Sequence, residues 1–178
     1  MSDYLIVVVN RASARFFTLE PVKFPKLESG PRLKPHAELI NADIKSAKDN
    51  FADSKTGRGT APQGGGVHGY DDKRDQHLDE LRRRFATRVL KRIQKLRKSE
   101  GAGTVILAAS ARMRRFLFPE MDDQARQGFR LHKLSKNMIN FSSQKIHEYL
   151  AGEGLIPRQQ KPFRSINKGV ILRRTAPR

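Results

Sequence analysis

Cysteine and tryptophan are absent from this chain, and each absence closes off a class of chemistry. Without thiols there is no disulfide framework and no cysteine nucleophile, and structural zinc loses its commonest ligand. The five histidines, at 36, 68, 77, 132 and 147, show no ligand spacing, so neither a metal nor a cofactor is expected. No amphipathic stretch offers tryptophan or an unbroken bulky face for insertion into a lipid interface. Long apolar runs are missing as well. The first, Tyr4 to Val9, is too short for a signal-peptide core and ends in Asn10-Arg11, and no stretch approaches the length of a membrane span. The expectation is a soluble, cytoplasmic protein. Acids are scarce too: 18 of them face 36 lysines and arginines, leaving a net charge of +18. A chain with that self-repulsion gains most from a polyanionic partner, and nucleic acid is the default.

The basic surplus is concentrated. Leu81 to Lys98 carries nine lysines or arginines and no acid. Leu78, Leu81, Phe85, Val89, Ile93 and Leu96 recur at steps of three or four, which predicts a helix with one apolar stripe. Arg84, Arg88, Lys91, Lys95 and Lys98 line up on one flank of that stripe, with no acid at i+4 to neutralise the row. Arg82 and Arg92 fall within the apolar arc, so their charged heads are expected to snorkel outward. Acids at 71, 72, 75, 79 and 80 precede the bases, as the helix dipole favours. A solvated charged face is the plainer reading of such a helix. The surplus elsewhere in the chain tips the balance towards a bound polyanion.

At 178 residues the chain suits one domain, placed at 1–156 and followed by a flexible basic tail at 157–178. Leu5 to Val9 reads as a buried strand, and Asn10 to Ser13 as a turn leading to a second strand over Ala14 to Leu19. Phe16 and Phe17 could stack bases, but a pair within an apolar hairpin reads better as core. Prolines 21, 25, 31 and 35 suggest irregular chain before a short third strand around Glu38 to Asn41. Residues 45–70 are polar and glycine-bearing, which suits a loop that is mobile when unbound. Gly101 caps the basic helix, and Thr104 to Ala108 forms a second buried strand. Ala111 to Leu117 is expected as a short helix stopped by Pro119, with a further turn over Met121 to Gln127. Phe129 to Leu134 reads as an edge strand with one wet, positive face that includes His132. Ser142 or Ser143 caps a last helix bearing Ile146, Tyr149 and Leu150, which Gly152 ends, and His147 is expected to pack beside that helix.

The order of these pieces, with Val7-Val-Val-Asn-Arg-Ala-Ser-Ala-Arg-Phe-Phe17, Gly64-Gly-Gly-Val-His68, Arg84-Phe-Ala86 and Ile106-Leu-Ala-Ala-Ser-Ala-Arg112, resembles the bacterial host-attachment protein family. That family is itself similar to the central domain of archaeal and eukaryotic class-1 peptide-chain release factors. The resemblance spans about residues 4 to 156. It implies an α/β fold, RNase H-like or release-factor-central-domain-like, with a mixed sheet flanked by helices, and it implies action on the ribosome. In a release factor a Gly-Gly-Gln tip positions water against the peptidyl-tRNA ester. Here Gly64 and Gly65 match the glycines, but Gly66 stands where glutamine would and Gln63 lies before them.

Other chemistries find little support. A nuclease of RNase H type needs carboxylates on adjacent strand ends, and the first strand has only Asp3 before it. Gly64 to Gly66 lacks the Lys-Ser or Lys-Thr of a phosphate-binding loop. His68 has no positioned partner and reads as an exposed loop histidine. No catalytic residue is assigned. The sequence therefore predicts a non-enzymatic factor that binds ribosomal RNA or tRNA on the ribosome. Its expected contacts are Arg84, Arg88, Lys91, Lys95, Lys98, Arg112, Arg114 and Arg115, joined by Arg158, Lys161, Arg164, Arg173 and Arg174 of the tail. Gly64, Gly65, Gly66 and His68 form the expected loop tip. Peptidyl-tRNA hydrolysis through that loop and attachment to host cells are the alternatives.

Overall fold

The computed structural model describes residues 2–24, 27–43, 69–126 and 128–160. The expected glycine loop with Gly64, Gly65, Gly66 and His68, and the tail residues Lys161, Arg164, Arg173 and Arg174, lie outside them.

Six strands form one mixed sheet. They are β1 (Tyr4–Val9), β2 (Ser13–Glu20), β3 (Arg32–Pro35), β4 (Leu39–Ile40), β5 (Thr104–Ala109) and β6 (Arg130–Leu134). The order is β3-β2-β1-β5-β6, with β4 also pairing to β2. β1 and β2 are antiparallel, turned by Asn10, whose Oδ1 accepts the backbone N–H groups of Ala12 at 2.7 Å and Ser13 at 2.8 Å. β1, β5 and β6 run parallel. β1 and β5 are apolar along their whole length because both of their faces are covered.

Three helices provide that cover: α1 (Gly69–Glu100), α2 (Ala111–Ala125) and α3 (Ser143–Gly152). Alternation along the strands sorts the core into two layers. Leu5, Val7, Phe16, Val105 and Leu107 face α1 and α2, where they meet Phe85, Val89, Ile93, Met113, Leu117 and Met121. Ile6, Val8, Phe17, Ile106 and Ala108 face Met138 and the Ile146 and Leu150 of α3. Phe16 and Phe17 are both buried, so they are core and not a stacking platform. α1 ends at Gly101, whose φ of 70° lets the Ala102 N–H bond back to the Arg97 carbonyl. Ser142 caps α3 by accepting the Lys145 N–H. Arg15 crosses between sequence-distant parts: one guanidinium nitrogen donates to the Ile139 carbonyl at 2.8 Å and the Phe141 carbonyl at 2.7 Å.

The structure departs from the sequence reading at several elements. β3 forms at Arg32–Pro35, within the stretch expected to be irregular, and the strand expected over Glu38 to Asn41 shrinks to the two residues of β4. Pro31 and Pro35 are tolerated because β3 pairs through one edge only. β6 is an edge strand whose faces are both partly covered, with Arg130 and Lys133 exposed, one on each face. Leu131 packs into one layer and Leu134 into the other, and His132 is half-buried.

Pro119 does not stop α2, which continues to Ala125 as one helix. The stripe Met113, Leu117 and Met121 carries the buried face straight past the proline, and packing on the sheet outweighs the missing N–H. Replacing Pro119 with alanine restores a donor to the Arg115 carbonyl and is expected to stabilise the protein by about 1–3 kcal/mol. An unchanged or lower urea midpoint would contradict this.

Candidate functional site

The buried arc of α1 comprises Leu81, Phe85, Ala86, Val89, Leu90, Ile93 and Leu96, as the spacing requires. The opposite side exposes Arg84, Arg88, Lys91, Lys95 and Lys98. The two halves of that row differ. Glu80 takes Arg84 Nε at 3.0 Å and lies 3.8 Å from Arg83. Arg88 donates to Asp43 at 3.1 Å and to the Asn41 side chain at 3.2 Å. The first half of the row is therefore paired, although no acid stands at i+4 to any of its members. Glu80 stands four residues before Arg84, not after it, and Asp43 is remote in sequence. These pairs are exposed and weak. Among the described residues no acid pairs with Lys91, Lys95 or Lys98, and the cationic row is bare at its C-terminal half.

Asn41 is almost fully buried. Its backbone N–H bonds the Ala12 carbonyl, its side-chain N–H₂ donates to the Arg11 carbonyl, and its Oδ1 accepts from Arg88. It joins the β1–β2 turn to α1. The sequence marked Asn41 only as the end of a strand, and nothing in its neighbours signalled this role.

Arg82 does not snorkel outward. It is buried and pairs with Asp79, which also binds Arg115 of α2. Among the described residues Arg82 Nε and Arg92 Nε, both buried, find no hydrogen-bond partner. Burial pushes the Asp79 carboxyl up, but hydrogen bonds and charge attraction from Arg82 and Arg115 outweigh it and hold the carboxyl below the usual range. A depressed carboxylate stabilises the fold fully above its unfolded pKa, and that contribution is lost as pH falls through the folded value. Asp79→Asn is expected to cost about 1–2 kcal/mol at neutral pH, a figure discounted for partial exposure, and to flatten the acid limb of stability against pH. An acid limb identical to that of the parent would refute the role of this bridge.

α2 starts at the carboxyl ends of β1 and β5. There Asn10, Arg11, Ser110, Ala111, Arg112 and Asn137 line a cleft, and the Ser110 side chain makes no capping bond. Arg112, Arg114 and Arg115 are exposed, and Arg115 is engaged by Asp79. These arginines lie on the same side of the sheet as Lys91 to Lys98 but at the other end of the strands, because α1 returns through Gly101 to the start of β5. Arg158 is exposed beyond Ile156, which packs with α3 in the opposite layer, so it does not join this row. Two cations not singled out from the sequence stand near the end of α1. Arg97 lies 4.8 Å over the Phe129 ring, and Arg130, the first residue of β6, is exposed with the parity of His132 and Leu134, on the α3 face of the strand.

Among the described residues no group of three or more histidines or acids is placed to hold a metal ion, and no helix is long and apolar enough to cross a membrane. His147 is buried, with Nε2 3.0 Å from the Pro157 carbonyl. His36 Nε2 lies 3.0 Å from the Thr18 hydroxyl.

With this arrangement in view, residues 5–150 match the family described as protein required for attachment to host cells. The chain belongs to the host-attachment family. The match reaches from β1 into α3, so in this host-attachment protein the whole sheet and the basic helix fall within the family's shared region. Among curated proteins none matches it.

Proposed function

We propose that this protein is a non-enzymatic RNA-binding factor that acts on the ribosome in the cytoplasm, with a sheet of the RNase H-like, release-factor-central-domain type. The observation that carries this reading is the bare row Lys91, Lys95 and Lys98. Three exposed cations on a helix otherwise committed to the core make a rigid positive ridge with which no acid pairs among the described residues. The mixed sheet covered on both faces agrees with the fold that the release-factor resemblance implies. Arg97, Arg112 and Arg114 extend the positive surface to either end. With several phosphates neutralised, affinity for ribosomal subunits should fall about tenfold or more over a few-fold rise in salt. Co-sedimentation that ignores salt, or that survives charge reversal at Lys91 and Lys95, would remove the basis of this reading.

The family's description favours a second reading, contact with host cells, in which the same ridge meets acidic polysaccharide or lipid. Recovery of the protein outside intact cells on fractionation would favour it over the first.

A further inference from the structure

We infer, on the reading that the ridge binds nucleic acid, that it engages the phosphate backbone of a double helix and not the stacked bases of a single strand. Proteins that hold single strands combine a positive groove with open aromatic faces on which bases stack. On the α1 and α2 side of the sheet those faces are occupied among the described residues. Phe85 is buried and carries Arg88 at 5.6 Å. Phe116 carries Arg115 at 4.7 Å, Phe118 carries Lys133 at 5.6 Å, and Phe129 carries Arg97 at 4.8 Å. All three of those rings pack against the core. This side therefore presents cations above rings, and the rings are not free. Among the described residues the large apolar side chains that are exposed, Phe24, Leu27 and Ile40, belong to the β2–β3 connection and to β4.

Shape leads to the same partner. Lys91, Lys95 and Lys98 rise along α1 by about 6 Å and then about 4.5 Å, a straight convex row. The groove beside it, between α1 and α2, is lined by Glu120 as well as by Arg83, Lys91 and Arg115, so its charge is mixed and it does not offer a positive channel for a lone strand. From Asp79, level with Arg115, to Lys98 the helix runs about 28 Å. A duplex covers that length with roughly eight base pairs and supplies one phosphate charge per about 1.7 Å of axis, twice the density of one strand. A duplex lying along α1 meets Arg112 and Arg114 at one end and Lys95 and Lys98 at the other. Recognition through backbone and shape is the mode open to double-stranded RNA.

Fluorescence anisotropy on the full chain tests this with four probes of about 16 base pairs or the same number of nucleotides: an RNA duplex, a DNA duplex of matching sequence, oligo-U and oligo-A. The RNA duplex is expected to bind at least about tenfold more tightly than either single strand and with little dependence on sequence. The glutamine triple at Lys91, Lys95 and Lys98 should lower the duplex salt slope by about 2–3. Phe116→Leu and Phe129→Leu should leave duplex affinity unchanged. Equal binding of the DNA duplex supports backbone recognition that does not read the 2′-hydroxyl. Tighter binding of a single strand, or its loss in the leucine variants with the fold intact by circular dichroism, overturns the inference and leaves nucleic-acid binding standing. No binding of any probe overturns both.

Discussion

Replacing Lys91, Lys95 and Lys98 together with glutamate should lower affinity for RNA by about 10²- to 10³-fold. Each reversal removes one attraction and adds one repulsion, at roughly 1 kcal/mol or a little more per position, and each 1.4 kcal/mol is tenfold. Unfolding should change little, because all three side chains are exposed and none is paired among the described residues. Two small effects oppose one another: acids near a helix C-terminus are disfavoured by the dipole, and a less positive protein repels itself less. The glutamine triple separates them, since it removes charge without inverting it. Filter binding alongside a thermal melt decides the matter. Unaltered affinity in the glutamate triple would mean that the ridge is only a solvated face.

Phe85→Ala should have the largest effect on stability, about 3–5 kcal/mol. Phe85 is fully buried between the sheet and α1, among Leu5, Val7 and Phe16, and its removal leaves a cavity that neighbouring strands cannot close. Domains of ordinary stability have only about 5–15 kcal/mol to lose, so the urea midpoint should fall steeply. Arg84→Ala, on the exposed side of the same helix, should stay within about 0.5 kcal/mol. A loss below about 1 kcal/mol for Phe85→Ala would show that α1 is not anchored through this residue.

Much of the architecture was legible because some segments carry a single unambiguous pattern. β1 and β5 are uninterrupted β-branched or small apolar runs, and α1 combines a periodic stripe with acids first and bases last. Elements whose local signals conflict with their packing were not legible. β3 follows one proline and ends on another, tolerated because it pairs through one edge only, and α2 passes through a proline because the sheet's demand for cover overrides the local rule. At the candidate site the sequence located the basic row but not its division. The acids that quiet Arg84 and Arg88 act from four residues earlier and from another element. Burial of Arg82 was missed because Asp79 and Arg115 come together only in three dimensions. The capping of aromatic rings by cations was likewise invisible, since Arg97 and Phe129 belong to different elements.

The placing of β1 in the middle of the sheet bears on how a nascent chain acquires this shape. Tyr4 finds its parallel neighbour only at Thr104, and Arg15 awaits carbonyls at Ile139 and Phe141. Until most of the polypeptide has left the exit tunnel, the earliest hairpin shows bare apolar faces to solvent. High contact order of this kind slows folding and prolongs vulnerability to aggregation. Fragments truncated before β5 should therefore depend on chaperones, whereas the finished molecule should not.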